Sequence, residues 1–151
     1  MKKIFAILIM SGMCYALFAQ QITMDKLPPV VAGAFKVKFP EARQQSWEME
    51  KANVYQAAFF NGKKRQTAQF DNTGKWLETE TEINYSELPK AVDRAFAKQF
   101  DGFKVQVINQ VETPDKGTLY ELEVFKGREN YDVLFSAKGE LIKKEAGAQS
   151  E

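Results

Sequence analysis

Val54-Tyr55-Gln56-Ala57-Ala58-Phe59-Phe60-Asn61-Gly62, followed by Phe70-Asp71-Asn72-Thr73-Gly74-Lys75-Trp76-Leu77-Glu78-Thr79-Glu80, decides the fold because it returns 65 positions later. The second copies are Leu119-Tyr120-Glu121-Leu122-Glu123-Val124-Phe125-Lys126-Gly127 and Phe135-Ser136-Ala137-Lys138-Gly139-Glu140-Leu141-Ile142-Lys143-Lys144-Glu145. Tyr, the second Phe of the first segment, both glycines, the Phe before the second turn and the closing Glu all coincide. Asn61-Gly62 is a strong hairpin signal because both residues accept positive φ, and Lys126-Gly127 is its looser counterpart. Asp71 to Gly74 and Ser136 to Gly139 mark a second turn in each copy.

Each copy is preceded by a helical pattern. Leu27, Val31, Phe35 and Phe39 recur every four residues, with Pro28 at the opening, Asp25 as a cap or dipole partner and Pro40 at the stop. Leu88, Val92, Phe96 and Phe100 repeat the stripe at a shift of 61, with Pro89 opening and Ser86 in the place of Asp25. Strands are predicted over 42–51, 54–60, 65–70 and 75–83, and again over 104–112, 118–125, 129–135 and 140–145. The shift grows from 61 to 65 where Ala52-Asn53 becomes the longer loop Thr113 to Gly117, and loops absorb insertions. The pattern is thus α+β: two tandem units of one helix and a four-stranded antiparallel meander, 20–84 and 85–146, with residues 20–23 as a tether and a tail at 147–151.

Alternation assigns faces. Tyr120, Leu122 and Val124 face the core, and by transfer so do Tyr55, Ala57 and Phe59; Tyr131, Val133 and Phe135 match Gln66, Ala68 and Phe70. The opposite face receives Gln56, Ala58, Phe60, Thr67 and Gln69 in one unit and Glu121, Glu123, Phe125, Asp132 and Leu134 in the other. In 104–112, Val105, Val107 and Val111 alternate with Gln106 and Gln110.

With 151 residues, 44% hydrophobic and 27% charged, the chain has an ordinary globular composition. Met1-Lys2-Lys3, the apolar run from Ile4 and the small Ala19 read as a secretory signal over 1–19. Its removal would take away Cys14, the one cysteine, from a chain without histidine. Disulfide, thiolate, Ser-His and zinc chemistry are then excluded. The mature chain keeps 19 basic against 20 acidic residues, an interspersed balance that gives no long-range pull on nucleic acid or anionic lipid.

The order Leu27-Pro28, Phe39-Pro40, Trp47, Tyr55, Phe70-Asp71, Gly74-Lys75-Trp76-Leu77 and Glu80 resembles the exported PepSY-like family, also described as β-lactamase-inhibitor-like. Leu88-Pro89, Phe100, Tyr120, Phe135, Gly139 and Glu145 repeat it more divergently. The resemblance implies one joined sheet with the helices on one face and the other face open. It also brings an alternative function, inhibition of a periplasmic or extracellular hydrolase of the protease or β-lactamase class.

Three groups invite chemistry. Asp71 to Gly74 lacks the alternating acidic ligands and distal Glu of a calcium loop, so it reads as a turn. Glu78, Glu80 and Glu82 share one side of a strand, where paired carboxylates could act on a glycan, but the run reads as a solvated face. Phe60, Trp76 and Phe125 either close the core and the seam between units or, interleaved with Gln56, Thr67, Gln69, Glu121 and Glu123, form a recognition surface. The combined expectation is an exported, non-catalytic binding module without cofactor or metal, periplasmic or secreted. It binds an unknown protein or peptide through those eight residues, not nucleic acid, and has no stable membrane anchor after signal cleavage. Specificity should lie where the copies differ, at Gln56 against Glu121, Ala58 against Glu123 and Gln69 against Leu134.

Overall fold

The computed structural model describes residues 20–147; the expected signal segment 1–19 and tail positions 148–151 lie outside the described residues. The chain runs β1 (Gln20–Ile22), α1 (Pro29–Lys38), β2 (Ala42–Lys51), β3 (Val54–Asn61), β4 (Lys64–Asp71), β5 (Trp76–Glu82), a 3-10 turn (Tyr85–Glu87), α2 (Lys90–Gln99), β6 (Lys104–Thr113), β7 (Gly117–Lys126), β8 (Glu129–Ser136) and β9 (Leu141–Ala146). All nine strands form one open antiparallel sheet in sequence order. The boundary drawn at 84/85 falls between β5 and the 3-10 turn. β5 and β6 pair directly, Thr79 with Glu112 and Glu82 with Asn109, so the sheet is continuous across it.

The ninth strand corrects the expected tether. Residues 20–22 pair with Trp47, Glu48 and Met49 of β2, and Ile22 packs on the α1 core. A three-residue run is too short to display alternation, yet it covers the backbone edge that β2 would otherwise expose.

Both helices lie on one face. The pairs Ala57–Ala68, Ala68–Thr79, Gln66–Thr81, Thr81–Gln110 and Gln110–Tyr120 carry the same face from β3 to β7. All eight stripe residues are buried. Phe35 meets Trp47 and Phe59 edge-on at centroid distances of 5.1 and 5.0 Å, and Phe100 meets Phe135 at 6.2 Å. Each buried large side chain contributes about 1.5–3 kcal/mol. Asp25 and Ser86 do not cap: Pro28 and Pro89 hold the N-cap positions with no side-chain cap bond. Ahead of α2 a different residue caps the 3-10 turn: Glu87 Oε2 accepts from Asn84 N at 3.0 Å.

The tight turns are built one residue later than Asn61-Gly62 suggests. Asn61 stays in the ladder opposite Lys64, and of the loop pair 62–63 only Gly62 has positive φ, +62°. One positive φ at the first central position is the II′ pattern, so glycine alone satisfies the turn. At the second turns Gly74 and Gly139 have φ of +82° and +83°, and a Cβ there would lie 2.9 Å from the Val30 carbonyl oxygen and 2.4 Å from that of Ala91. These turns dock against the helices, which ties each helix to the end of its sheet segment.

Candidate functional site: the open face of the sheet

The face opposite the helices is polar along its centre. On it Gln56, Gln69 and Glu78 are neighbours across β3, β4 and β5, and Thr67 lies beside Glu80. Gln69 Nε2 donates to Glu50 Oε2 at 2.6 Å and to Gln56 Oε1 at 3.1 Å, while Gln56 Nε2 donates to Glu48 Oε1 at 2.9 Å. Thr67 Oγ1 donates weakly to Glu80 Oε2 at 3.4 Å. Asn109 supplies a side-chain hydrogen bond to Glu121. A small apolar floor of Val111, Leu119 and Leu134 lies on this same face.

The carboxylates are more buried than a solvated strand would allow. Glu78 is 6% and Glu121 3% exposed. Glu78 Oε1, Glu80 Oε1 and Glu121 Oε2 are buried without a hydrogen-bond partner. Burial, then the Glu50 charge, raises Glu78 to about 7. Burial, then Glu78 and Glu50, raises Glu80 to about 8. Burial, then Glu80, Asp132 and Glu123, raises Glu121 to about 9. Glu50 and Glu123 are also raised, chiefly by burial. Burial first, with the neighbouring carboxylates adding to it, disfavours the ionised forms of Glu78, Glu80 and Glu121.

Of the eight residues expected to bind, five meet on this face: Gln56, Thr67, Gln69, Glu121 and Glu123. Phe60, 40% exposed, and half-buried Phe125 share it, beside Arg65 and Asn130. They stand four strands apart, about 19 Å across the sheet, and are offset along it as well, because the row from Phe60 reaches Glu121 of β7, so they do not touch one another. Trp76 does not join them. It packs on the α1 side against the core, donates from Nε1 to Thr79 Oγ1 at 2.9 Å and lies under Lys38 Nζ, 3.5 Å from the ring. Strict alternation from Glu78 would place Trp76 on the open face, but a register shift between Gln69 and Phe70 pairs it with Phe70. A second shift, between Val105 and Val107, breaks the expected valine face of β6. Val107 and Val111 turn to the open side and Ile108 enters the core. Single-residue bulges leave no clear mark in hydropathy.

Glu50, Glu78 and Glu80 were not expected as site residues. Their signal was present in the Glu78-Thr79-Glu80 alternation, and its burial follows from β5 being the fifth of nine strands. Glu82, further along, stays exposed. Asp71 behaves as a turn residue: its Oδ1 accepts from Thr73 N at 2.8 Å, Thr73 Oγ1 at 2.6 Å and Lys75 N at 3.0 Å. These bonds, the Thr73 hydroxyl first, hold its carboxyl below the ordinary value. Among the described residues no group of three or more His, Cys, Asp or Glu is disposed to hold a metal ion. The shifts in the glutamate row all run upward. A hydrolytic acid and base need environments that push two carboxyls apart.

Fold and face together define an open-sheet α+β module whose acid-rich side carries no helix among the described residues. The family described as "Putative beta-lactamase-inhibitor-like, PepSY-like" matches residues 53–143, more than half of the chain, and the protein belongs to that family. Among solved structures the chain is similar to a BLIP-like protein from Bacteroides fragilis NCTC 9343, at 27% identity and TM-score 0.70, covering 81% of this chain and 87% of that one. It is similar to a DUF2874 family protein from Bacteroides uniformis ATCC 8492, at 28% identity and TM-score 0.73, covering 79% and 88%. A third, from Bacteroides eggerthii DSM 20697 and described as a "putative periplasmic" protein, is 27% identical with TM-score 0.73, covering 79% and 88%. No curated protein matches the chain. No helix among the described residues is long and apolar enough to cross a membrane.

Proposed function

We propose that the chain is an exported, non-catalytic binding module that recognises a protein or peptide through the open face of its sheet. The observation that carries this reading is the set of buried, unpartnered carboxyl oxygens on a face that holds no helix among the described residues. A fold that only needed to be stable would leave such a face hydrated or apolar. In this reading residues 1–19 are a signal, 20–84 and 85–146 are two copies of one helix-plus-meander unit, and 147–151 is a tail. The periplasmic description of the Bacteroides eggerthii relative agrees with export. The test is capture from an exported-protein fraction, comparing the wild type with a Phe60→Ala, Phe125→Ala, Glu121→Lys variant whose fold is checked by circular dichroism. Loss of a specific partner supports the reading, and equal capture by the folded variant counts against it.

A second reading is inhibition of a hydrolase, favoured by the likeness to a BLIP-like protein. A panel of purified β-lactamases and periplasmic proteases assayed with excess protein tests it. Unchanged rates across the panel remove the inhibitor and leave the binding module.

A further inference from the structure

We infer that the chain pairs with a second copy of itself along β9, the last strand of the sheet, forming a two-fold dimer in which the two sheets run on as one. This goes beyond the open-face reading and stands without it.

The two ends of the sheet are finished differently. At the first, β1 is three residues long, and the part of β2 beyond it carries a register shift between Arg43 and Ser46 and Gln44 with φ of +53°. A short strand and a bulge keep an edge from pairing. At the other end β9 pairs regularly with β8 from Lys143 to Ala146, and its irregularity sits at the start of the strand, opposite Phe135. On its outer side it has no strand among the described residues. Exposed lysines would blunt such an edge, but here both are drawn back onto their own sheet. Lys143 Nζ meets Glu145 Oε2 at 2.8 Å, and Lys144 Nζ lies 3.7 Å from the centroid of the Tyr131 ring. Leu141 and Ile142 are 37% and 43% exposed beside them. The edge is therefore accessible along its backbone and apolar at one end.

The direction of the backbone decides what that edge offers. Gly147 N donates to Asn130 O at 2.9 Å, so Gly147 faces β8, and by the alternation of an antiparallel ladder so do Glu145 and Lys143. Lys144 and Ala146 then turn their N–H and C=O outward, as a template for another strand. A two-fold axis through Lys144, perpendicular to the sheet, brings a second β9 into bonding register. Lys144 of each copy faces Lys144 of the other, exchanging both backbone hydrogen bonds, and Ile142 faces Ala146. Lys143 of each copy faces Glu145 of the other as a closely set pair, on the open face where Lys143 lies beside Leu134. Charge fixes this register: sliding one copy by two residues sets Glu145 against Glu145 or Lys143 against Lys143. The two Lys144 side chains, on the helix side beside Val133, do not meet, because each is held over its own Tyr131. The same patch serves both copies, so the assembly closes at two. Both open faces then lie on one side of the joined sheet.

The experiment is sedimentation equilibrium of the purified protein at physiological salt, in a series reaching about 1 mM, with circular dichroism as the check on fold. A monomer–dimer equilibrium with Kd of about 100 µM or tighter is expected. Lys144→Pro removes an N–H that points away from β8, at an edge position where proline is tolerated, and should weaken association about tenfold or more. Lys143→Glu should weaken it similarly, and Lys143→Glu combined with Glu145→Lys should restore it to within about threefold. Val37→Asp, on the exposed side of α1, should leave it unchanged. A cross-link reads the register. In a Cys14→Ser background Lys144→Cys should oxidise to a covalent dimer, since facing residues of a hydrogen-bonded pair have Cα atoms about 5.5 Å apart, within disulfide reach. Lys143→Cys, whose two copies stand two residues out of line, should not. A protein that stays monomeric through the series overturns the inference. So does a dimer abolished by Val37→Asp, or one that folded Lys144→Pro and Lys143→Glu variants both hold at full strength.

Discussion

Replacing Glu121 by Gln removes an ionisable group while keeping its shape and one acceptor oxygen. In the folded protein Glu121 holds its proton to about pH 9, against an ordinary value of 4.5. The folded value lies above the unfolded one, so the stability this group supports is complete below about pH 4.5 and is lost as pH rises towards 9. Each pH unit inside that window costs about 1.4 kcal/mol. Between pH 5 and pH 7 the single carboxyl therefore removes about 2.5 kcal/mol, and the amide of Glu121→Gln, which does not titrate, would remove none. Urea unfolding followed by Trp47 and Trp76 fluorescence at pH 5, 6, 7 and 8 measures the difference. Near pH 5 wild type and Glu121→Gln should be close, and the variant should be the more stable by about 2.5 kcal/mol more at pH 7. Glu80→Gln should behave similarly, and the double variant should gain less than the sum because the two acids act on each other. Parallel curves, or a wild type more stable at pH 8 than at pH 5, would mean that Glu121 is ionised in the fold despite its burial, and would refute the reasoning.

The turn against α2 gives a sharper mechanical test. Gly139→Ala combines φ of +83° with a Cβ 2.4 Å from the Ala91 carbonyl oxygen, and should lose more than about 2 kcal/mol in urea unfolding. Gly62→Ala, with φ of +62° but open space around the Cβ, should lose about 1 kcal/mol. Phe35→Ala removes the ring at the centre of the α1 aromatic cluster and should cost about 3–5 kcal/mol, read from the same assay. Trp76→Ala should cost about 3 kcal/mol yet leave partner capture unchanged, whereas Phe60→Ala should change stability by less than about 0.5 kcal/mol and weaken capture; the two assays run side by side separate packing from recognition.

Much of the architecture was legible because periodicity and turn chemistry agree. The stripes at Leu27, Val31, Phe35 and Phe39 and at Leu88, Val92, Phe96 and Phe100 gave two helices, and alternation about Tyr55 and Tyr120 gave the correct faces of four strands. What failed were the one-residue irregularities. The shift beside Phe70 carried Trp76 to the helix side, and the one beside Val105 parted Val105 from Val107 and put Ile108 in the core. A bulge inverts the alternation downstream of it while leaving hydropathy almost unchanged, so it becomes visible only when both partner strands are placed. The glutamates of β5 failed for another reason. Their side of the strand was legible, but their burial depends on four strands lying to each side, which no local window contains. The site was thus half visible: Gln56, Thr67, Gln69, Glu121 and Glu123 as a face, without the carboxylates of β2 and β5 that complete it.

Amide chemical-shift mapping of the isotopically labelled protein, titrated with the partner captured from the exported fraction, reports most directly where recognition occurs. Perturbations concentrated at Gln56, Thr67, Gln69, Glu80, Glu121 and Glu123, with Val37 on α1 and Arg94 on α2 unmoved, are the expected result. Shifts centred on the outward sides of α1 and α2, with the glutamates of β5 and β7 silent, would contradict the open face as the binding surface.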